Sequence, residues 1–305
     1  MSRSNVLLAC VFSFLASANA QDGTAVELKL YWQPGQIYTQ ESDTDTTNFL
    51  TALGKTTDQK LRLHQTTRIA VQQSAPGQTE AKVTIEHLLG EMHYEGQSHL
   101  FDSNNPEASH PLLRQSFGNS AGKSFTLVYD EKGNFIDAKD TGSMVTGGVE
   151  PDLSSIATAR QLATLYRRSL EMGLPKIPVH PGDKWISDEV IPFAQAGTVQ
   201  VKLNAKFDGV VDREGHQQAQ IAFEGTMKSM RDKDSTGREL RTERPVTFGD
   251  DSKVNGHVFF DLDRRTISLA VFSATIQLKV EGKPMPVRQQ VTTKLVSIKP
   301  AVPVN

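Results

Sequence analysis

Apolar and polar residues alternate through most of the chain. A period of two puts successive side chains on opposite faces of an extended backbone and predicts half-buried antiparallel strands. Val26, Leu28, Leu30 and Trp32 share one face, with Glu27 and Lys29 on the other. Leu61, Leu63, Ile69 and Val71 stand against Lys60, Arg62, His64 and Arg68. Val201, Leu203, Ala205 and Phe207 alternate with Gln200, Lys202, Asn204 and Lys206. Phe272, Ala274, Ile276, Leu278 and Val280 alternate with Ser273, Thr275, Gln277 and Lys279. Ordinary strands run to about five or six residues. The longer runs here predict a curved sheet with one wet face.

The period becomes helical once. Leu153, Ile156, Leu162, Leu165, Tyr166 and Leu170 return at helical spacing between Pro151 and Gly173, with Asp152 placed to cap the start and Pro175 to prevent continuation. The stretches 42–55, 98–121 and 230–253 follow neither period and read as connections, the last as a charged hairpin connection or lid.

The helical segment separates two stretches with matching landmarks. Pro34-Gly35 precedes Tyr38 as Pro181-Gly182 precedes Trp185, a dipeptide suited to a type II turn followed by a core aromatic. Gly122-Lys123-Ser124-Phe125 then matches Gly256-His257-Val258-Phe259, and the acidic turn from Asp130 matches the one from Asp261. The expected fold is mainly β: two related antiparallel curved sheets or half-barrels with one central connecting helix on the concave side. The halves are 21–150 and 175–299, the helix 151–174 and the tail 300–305. Expected core positions are Trp32, Tyr38, Phe125, Trp185, Phe207, Phe223 and Phe259.

Composition adds a cellular setting. Residues 1–20 read as a secretory signal: Arg3, an apolar run from Val6 to Leu15, then Ala18-Asn19-Ala20 before Gln21. Leu7-Leu8-Ala9-Cys10 superficially resembles a lipid-attachment box, but it would leave almost no apolar region before the cysteine. Cleavage after Ala20 places the product in the periplasm or outside the cell. It also removes Cys10, the one cysteine of the chain, and with it disulfides, thiol chemistry and cysteine metal sites. Loss of Arg3 takes the formal charge from −2 to −3, which offers no electrostatic footprint for nucleic acid. No later apolar segment approaches the length of a membrane span.

Candidate chemistry is sparse. Glu91, His93 and Glu95 alternate, so a continuous strand would align two carboxylates and an imidazole on one face, a donor set for zinc or manganese. A solvated strand face, with Met92 and Tyr94 on the buried side, accounts for the same pattern and is the preferred reading. Gly118-Asn119-Ser120-Ala121-Gly122 fits G-x-S-x-G, yet a hydrolase elbow needs a strand before the serine and a helix after it. Gly118 to Ser124 is one residue short of a phosphate-binding loop. No catalytic residue and no cofactor is assigned.

Several of these landmarks coincide with a known pattern. Leu174-Pro175-x-x-Pro178-Val179-x-Pro181-Gly182-Asp183-x-Trp185 resembles an uncharacterised family of exported bacterial proteins, catalogued as a domain of unknown function. Trp32-x-Pro34-Gly35-Gln36-x-Tyr38, Phe101-Asp102-Ser103 and Tyr129-Asp130-x-x-Gly133 are similar to it as well. The resemblance implies export, β content and a two-half layout, and it carries no catalytic residues. Three functional classes remain. The first is a non-catalytic envelope protein binding an apolar small molecule or an envelope partner in a concave sheet. The second is a structural or interaction module without a ligand, and the third a hydrolase with a hidden site. Spare interior volume supports the first class, and a core filled by side chains supports the second.

Overall fold

The computed structural model describes residues 24–52, 55–118, 120–140, 159–193, 197–231 and 246–301. The signal segment, the Asp152 cap and the centre of the 230–253 connection lie outside them.

Thirteen strands among the described residues form one antiparallel sheet. The first half supplies β1 (Gln36–Ala52), β2 (Lys55–Ala75), β3 (Gln78–Tyr94), β4 (Gln97–Asp102), β5 (Ser124–Asp130) and β6 (Phe135–Asp140). The second supplies β7 (Lys184–Phe193), β8 (Gly197–Arg213), β9 (His216–Ser229), β10 (Val246–Phe248), β11 (Ser252–Asp261), β12 (Thr266–Val280) and β13 (Lys283–Pro300). With 21 residues, β2 is about 70 Å long. Helix α1 (Pro111–Phe117) follows β4, and α2 (Ala159–Glu171) lies between the halves.

The strand order is β6-β5-β3-β2-β1-β13-β12-β11-β9-β8-β7, with β4 added to β3 and β10 to β12. The order β1-β2-β3-β5-β6 recurs as β7-β8-β9-β11-β12, and β13 pairs with β12 on one side and β1 on the other. The mainly β fold expected from the alternation therefore forms, with its two curved sheets fused along β13. The Pro-Gly and acidic-turn landmarks occupy matching places, whereas Gly122 lies in the turn before β5 and Gly256 in the middle of β11. Gly35, at φ +78°, donates its N–H to Val71 O at 2.9 Å, and Gly182, at φ +93°, donates to Phe207 O at 2.7 Å. Asp130 caps the β5–β6 turn through the N–H groups of Lys132 and Asn134, and Asp261 caps the β11–β12 turn through those of Asp263 and Arg264.

The sheet curls without closing. Its path ends at β6 and β7, and α2 reaches both of these edges from inside the curve. Tyr166 packs on Phe125 at 5.5 Å and donates to Gln40 at 2.8 Å, while Arg168 donates to Val190 O on β7. Past the helix, Trp185 Nε1 donates to Gly173 O at 3.1 Å. Beneath α2 the concave side chains fill the core, with Tyr38, Ile69, Leu127, Phe207 and Ile221 among the most buried.

Several expectations change in detail. The 26–32 segment keeps its alternation, burying Leu28, Leu30 and Trp32, but it is an extended strap with a single bridge, Val26 to Val179, rather than a sheet strand. Its N–H at Tyr31 bonds instead to Arg265 O in the β11–β12 turn. Residues 42–52 continue β1 and 98–102 form β4, so polar residues on both faces concealed strands there. The same irregular stretch contains α1, which has proline in its first turn and buries Leu113. Phe260, not Phe259, fills the core. A bulge at Phe259/Phe260 accompanies this, and Phe259 packs outside against His257 and Arg213.

Candidate functional site

Register alone assembles a belt across the concave face. Trp185, Ala205, Phe223, Gly256, Phe272, Val291, Thr44, Leu63, Gly90 and Phe101 are successive cross-strand partners on β7, β8, β9, β11, β12, β13, β1, β2, β3 and β4. Directly paired residues point to the same face, so this row is continuous and, Thr44 apart, free of polar side chains. Toward its ends Ala205, Phe223 and Phe101 are buried, Phe101 packing with Leu88, Met92 and Leu113 of α1, while Trp185 at the β7 end is half-buried. The middle of the row is only half-buried, at Phe272, Val291 and Leu63, as are nearby Ile276, Met285 and Leu61. A polar stripe crosses the belt along β1. Along it Ser42 shares a hydrogen bond with Thr293 at 2.9 Å, and Gln289 donates to Thr46 at 3.3 Å.

Where α2 meets the strap, a cleft of about 570 Å³ is lined by Leu28, Leu30, Phe135, Leu174 and the pair Arg167–Glu171. Arg167 donates to Glu171 at 2.6 Å and lies 4.5 Å over the Phe135 ring. Burial raises the Glu171 carboxyl above its ordinary range, and Arg167 pulls the other way. Burial also raises the hydroxyls of Tyr129 and Tyr166, so both stay neutral.

The convex face of β1–β4 has a different character. Here Asp43 meets His64 at 2.8 Å, Asp45 meets Arg62 at 3.1 Å, Glu91 meets His93 at 2.9 Å and Asp102 meets His87 at 2.9 Å. The His87 hydrogen bond holds the Asp102 carboxyl below its ordinary range. These pairs border a shallow cleft of about 650 Å³ over Leu89 and Leu100. The structure thus brings Glu91 and His93 together. Glu95 sits beyond the end of β3, in the turn to β4 at φ +50°, so the three residues do not align along one strand. Among the described residues, the group of three whose donor atoms lie within 4.8 Å of one another is His216, Asp261 and Asp263. Sequence spacing does not connect these three residues. The β9–β11 pairing does, through Asp261 and Gln218. Around Ser120 a helix precedes and a strand follows, the reverse of a nucleophile elbow, and Asn119 lies outside the described residues.

No protein-family model matches the chain, and no curated protein matches it in sequence. Solved structures do. A chain of lipovitellin, described for its lipid–protein interactions, superposes with a TM-score of 0.50 at 12% identity, over 90% of this chain and 26% of its own. This chain thus spans about a quarter of the lipovitellin chain. A Bacteroides fragilis protein described as exported, with a YmcC-like fold, matches 90% of this chain and 100% of its own at 12% identity and a TM-score of 0.30. The lipovitellin likeness establishes a shared fold, and nothing of what the two proteins do.

Proposed function

We propose that this is an exported, non-catalytic envelope protein that holds an apolar small molecule, of the class of a lipid acyl chain, against the concave face of its sheet. The half-buried middle of the belt, at Phe272, Val291 and Leu63, carries this reading. Apolar surface left partly open on the inside of a curved sheet gains roughly 25 cal/mol for each Å² a ligand covers. Along the polar stripe of β1, Ser42 bonds Thr293 and Gln289 bonds Thr46, which lowers the cost of covering those groups. The fold shared with lipovitellin, a protein described by its lipid contacts, supports the same assignment. The signal-like residues 1–20 support export to the periplasm or beyond, with cleavage after Ala20. The recurrent strand order and matched Pro-Gly turns support an origin of 21–150 and 175–299 as two copies of one unit.

One observation favours a second reading. The core beneath α2 is filled by side chains, as a structural or protein-interaction module without a ligand requires. Native mass spectrometry on protein purified from its own host, before and after organic extraction, separates the two. The proposal expects an extra discrete mass that extraction removes. An identical bare mass in both samples would transfer the assignment to the interaction module.

A further inference from the structure

We propose that His216, Asp261 and Asp263 form a binding site for a borderline first-row divalent cation, Zn²⁺ above all. Asp261 closes β11 with its side chain wholly buried (0% exposed), and its two oxygens fare differently. Oδ1 accepts the N–H groups of Asp263 at 3.1 Å and Arg264 at 2.9 Å. Oδ2 is buried and has no hydrogen-bond partner. A buried carboxylate oxygen left in this state costs on the order of 1–3 kcal/mol or more, so it calls for a partner. Thr266, the cross-strand neighbour of Asp261, is also buried with an unpartnered hydroxyl. The matching turn of the first half shows no such want: both Asp130 oxygens are used, the second by the Asn134 amide at 2.8 Å.

The groups facing Asp261 Oδ2 suit a cation. His216 Nδ1 lies 3.8 Å away, and the donor atoms of all three residues lie within 4.8 Å of one another. A zinc ion bound at about 2.0–2.2 Å holds its ligand atoms roughly 3–4 Å apart, so small side-chain rotations complete the set. One imidazole with two carboxylates selects a borderline ion over Mg²⁺ or Ca²⁺, which prefer oxygen alone. Arg264 Nη1 forms an ion pair with the same oxygen at 3.7 Å, too long for a hydrogen bond, from a side chain that is 43% exposed. A bound ion would pin the start of β9 to the β11–β12 turn. Arg265 of that turn accepts the Tyr31 N–H at 2.9 Å and pairs with Glu27 at 2.9 Å, so the ion would also secure the strap.

The test is titration of chelator-treated protein with Co²⁺ or Zn²⁺ alone, read by calorimetry, cobalt absorption and thermal melting. One ion per chain is expected, with a cobalt spectrum of nitrogen and oxygen ligation and a Zn²⁺-dependent rise in melting temperature. His216→Gln and Asp263→Asn, at positions that are not fully buried, should each weaken binding about 10- to 100-fold while leaving the metal-free melting temperature unchanged. Absence of saturable binding to the unaltered protein would overturn the site. So would undiminished affinity in both variants, which would place the ion elsewhere.

Discussion

Gly256 on β11 faces Phe223 on β9 and Phe272 on β12. A Cβ at this position would lie 2.3 Å from Val271 O and 2.8 Å from the Phe223 ring, so glycine is what allows the sheet to fold this tightly across the belt. Gly256→Ala is expected to destabilise by about 1–3 kcal/mol, read from the urea midpoint. An unchanged midpoint would show that the curl relaxes without cost. A second residue prediction concerns acid. Lys139 bonds to Glu80, and this contact is the main reason the Glu80 carboxyl is held below its ordinary range. A depressed folded-state pKa adds stability above the unfolded value and loses it as pH falls through the folded one. Lys139→Met should therefore lower stability near neutral pH by less than about 1 kcal/mol and have no effect in strong acid. Equal loss at both pH values would point to packing instead. Much at this scale was readable in the sequence: Trp32, Tyr38, Phe125, Phe207 and Phe223 are core residues, as alternation and turn chemistry predict. Phe260 was not, because alternation does not reveal which aromatic a bulge turns inward. Nor was Asp261 Oδ2, whose want of a partner exists only once the strands have paired.

At the scale of elements, α2 is the piece whose anchoring matters most. The Tyr166 hydroxyl reaches Gln40, which is 3% exposed on the floor of the curve. Tyr166→Phe leaves that amide oxygen buried without this donor, at an expected cost of about 1–3 kcal/mol. Hydrogen exchange should then quicken across 159–171 more than in β8 or β13. Uniform change throughout the sheet would mean that α2 does not move as a unit. Helical periodicity revealed α2 because Leu162, Leu165, Tyr166 and Leu170 recur at helical spacing, while Leu153 and Ile156 of the same pattern lie outside the described residues. It missed α1, whose seven residues offer too few turns for a period to emerge. It also missed the latter part of β1, where threonines and aspartates on both faces erase the contrast that alternation needs. The apolar belt was legible only in pieces, since each strand supplies one residue to it and register supplies the rest.

Taken whole, the molecule is one sheet because β13 pairs along both of its sides. Neither half can unfold without exposing an edge of β13, so urea unfolding should show a single cooperative transition. Two transitions, with α2 and the first half melting apart from the second, would reveal independent units. An apolar ligand is proposed to lie on the concave belt. Photolabelling with a diazirine-bearing fatty acyl probe, mapped by peptide mass spectrometry, tests it most directly. Adducts are expected at Leu63, Phe272, Ile276 and Val291, suppressed by excess unlabelled fatty acid. Adducts confined to the convex face, around Leu89 and Leu100, would contradict it, as would labelling that unlabelled fatty acid does not suppress.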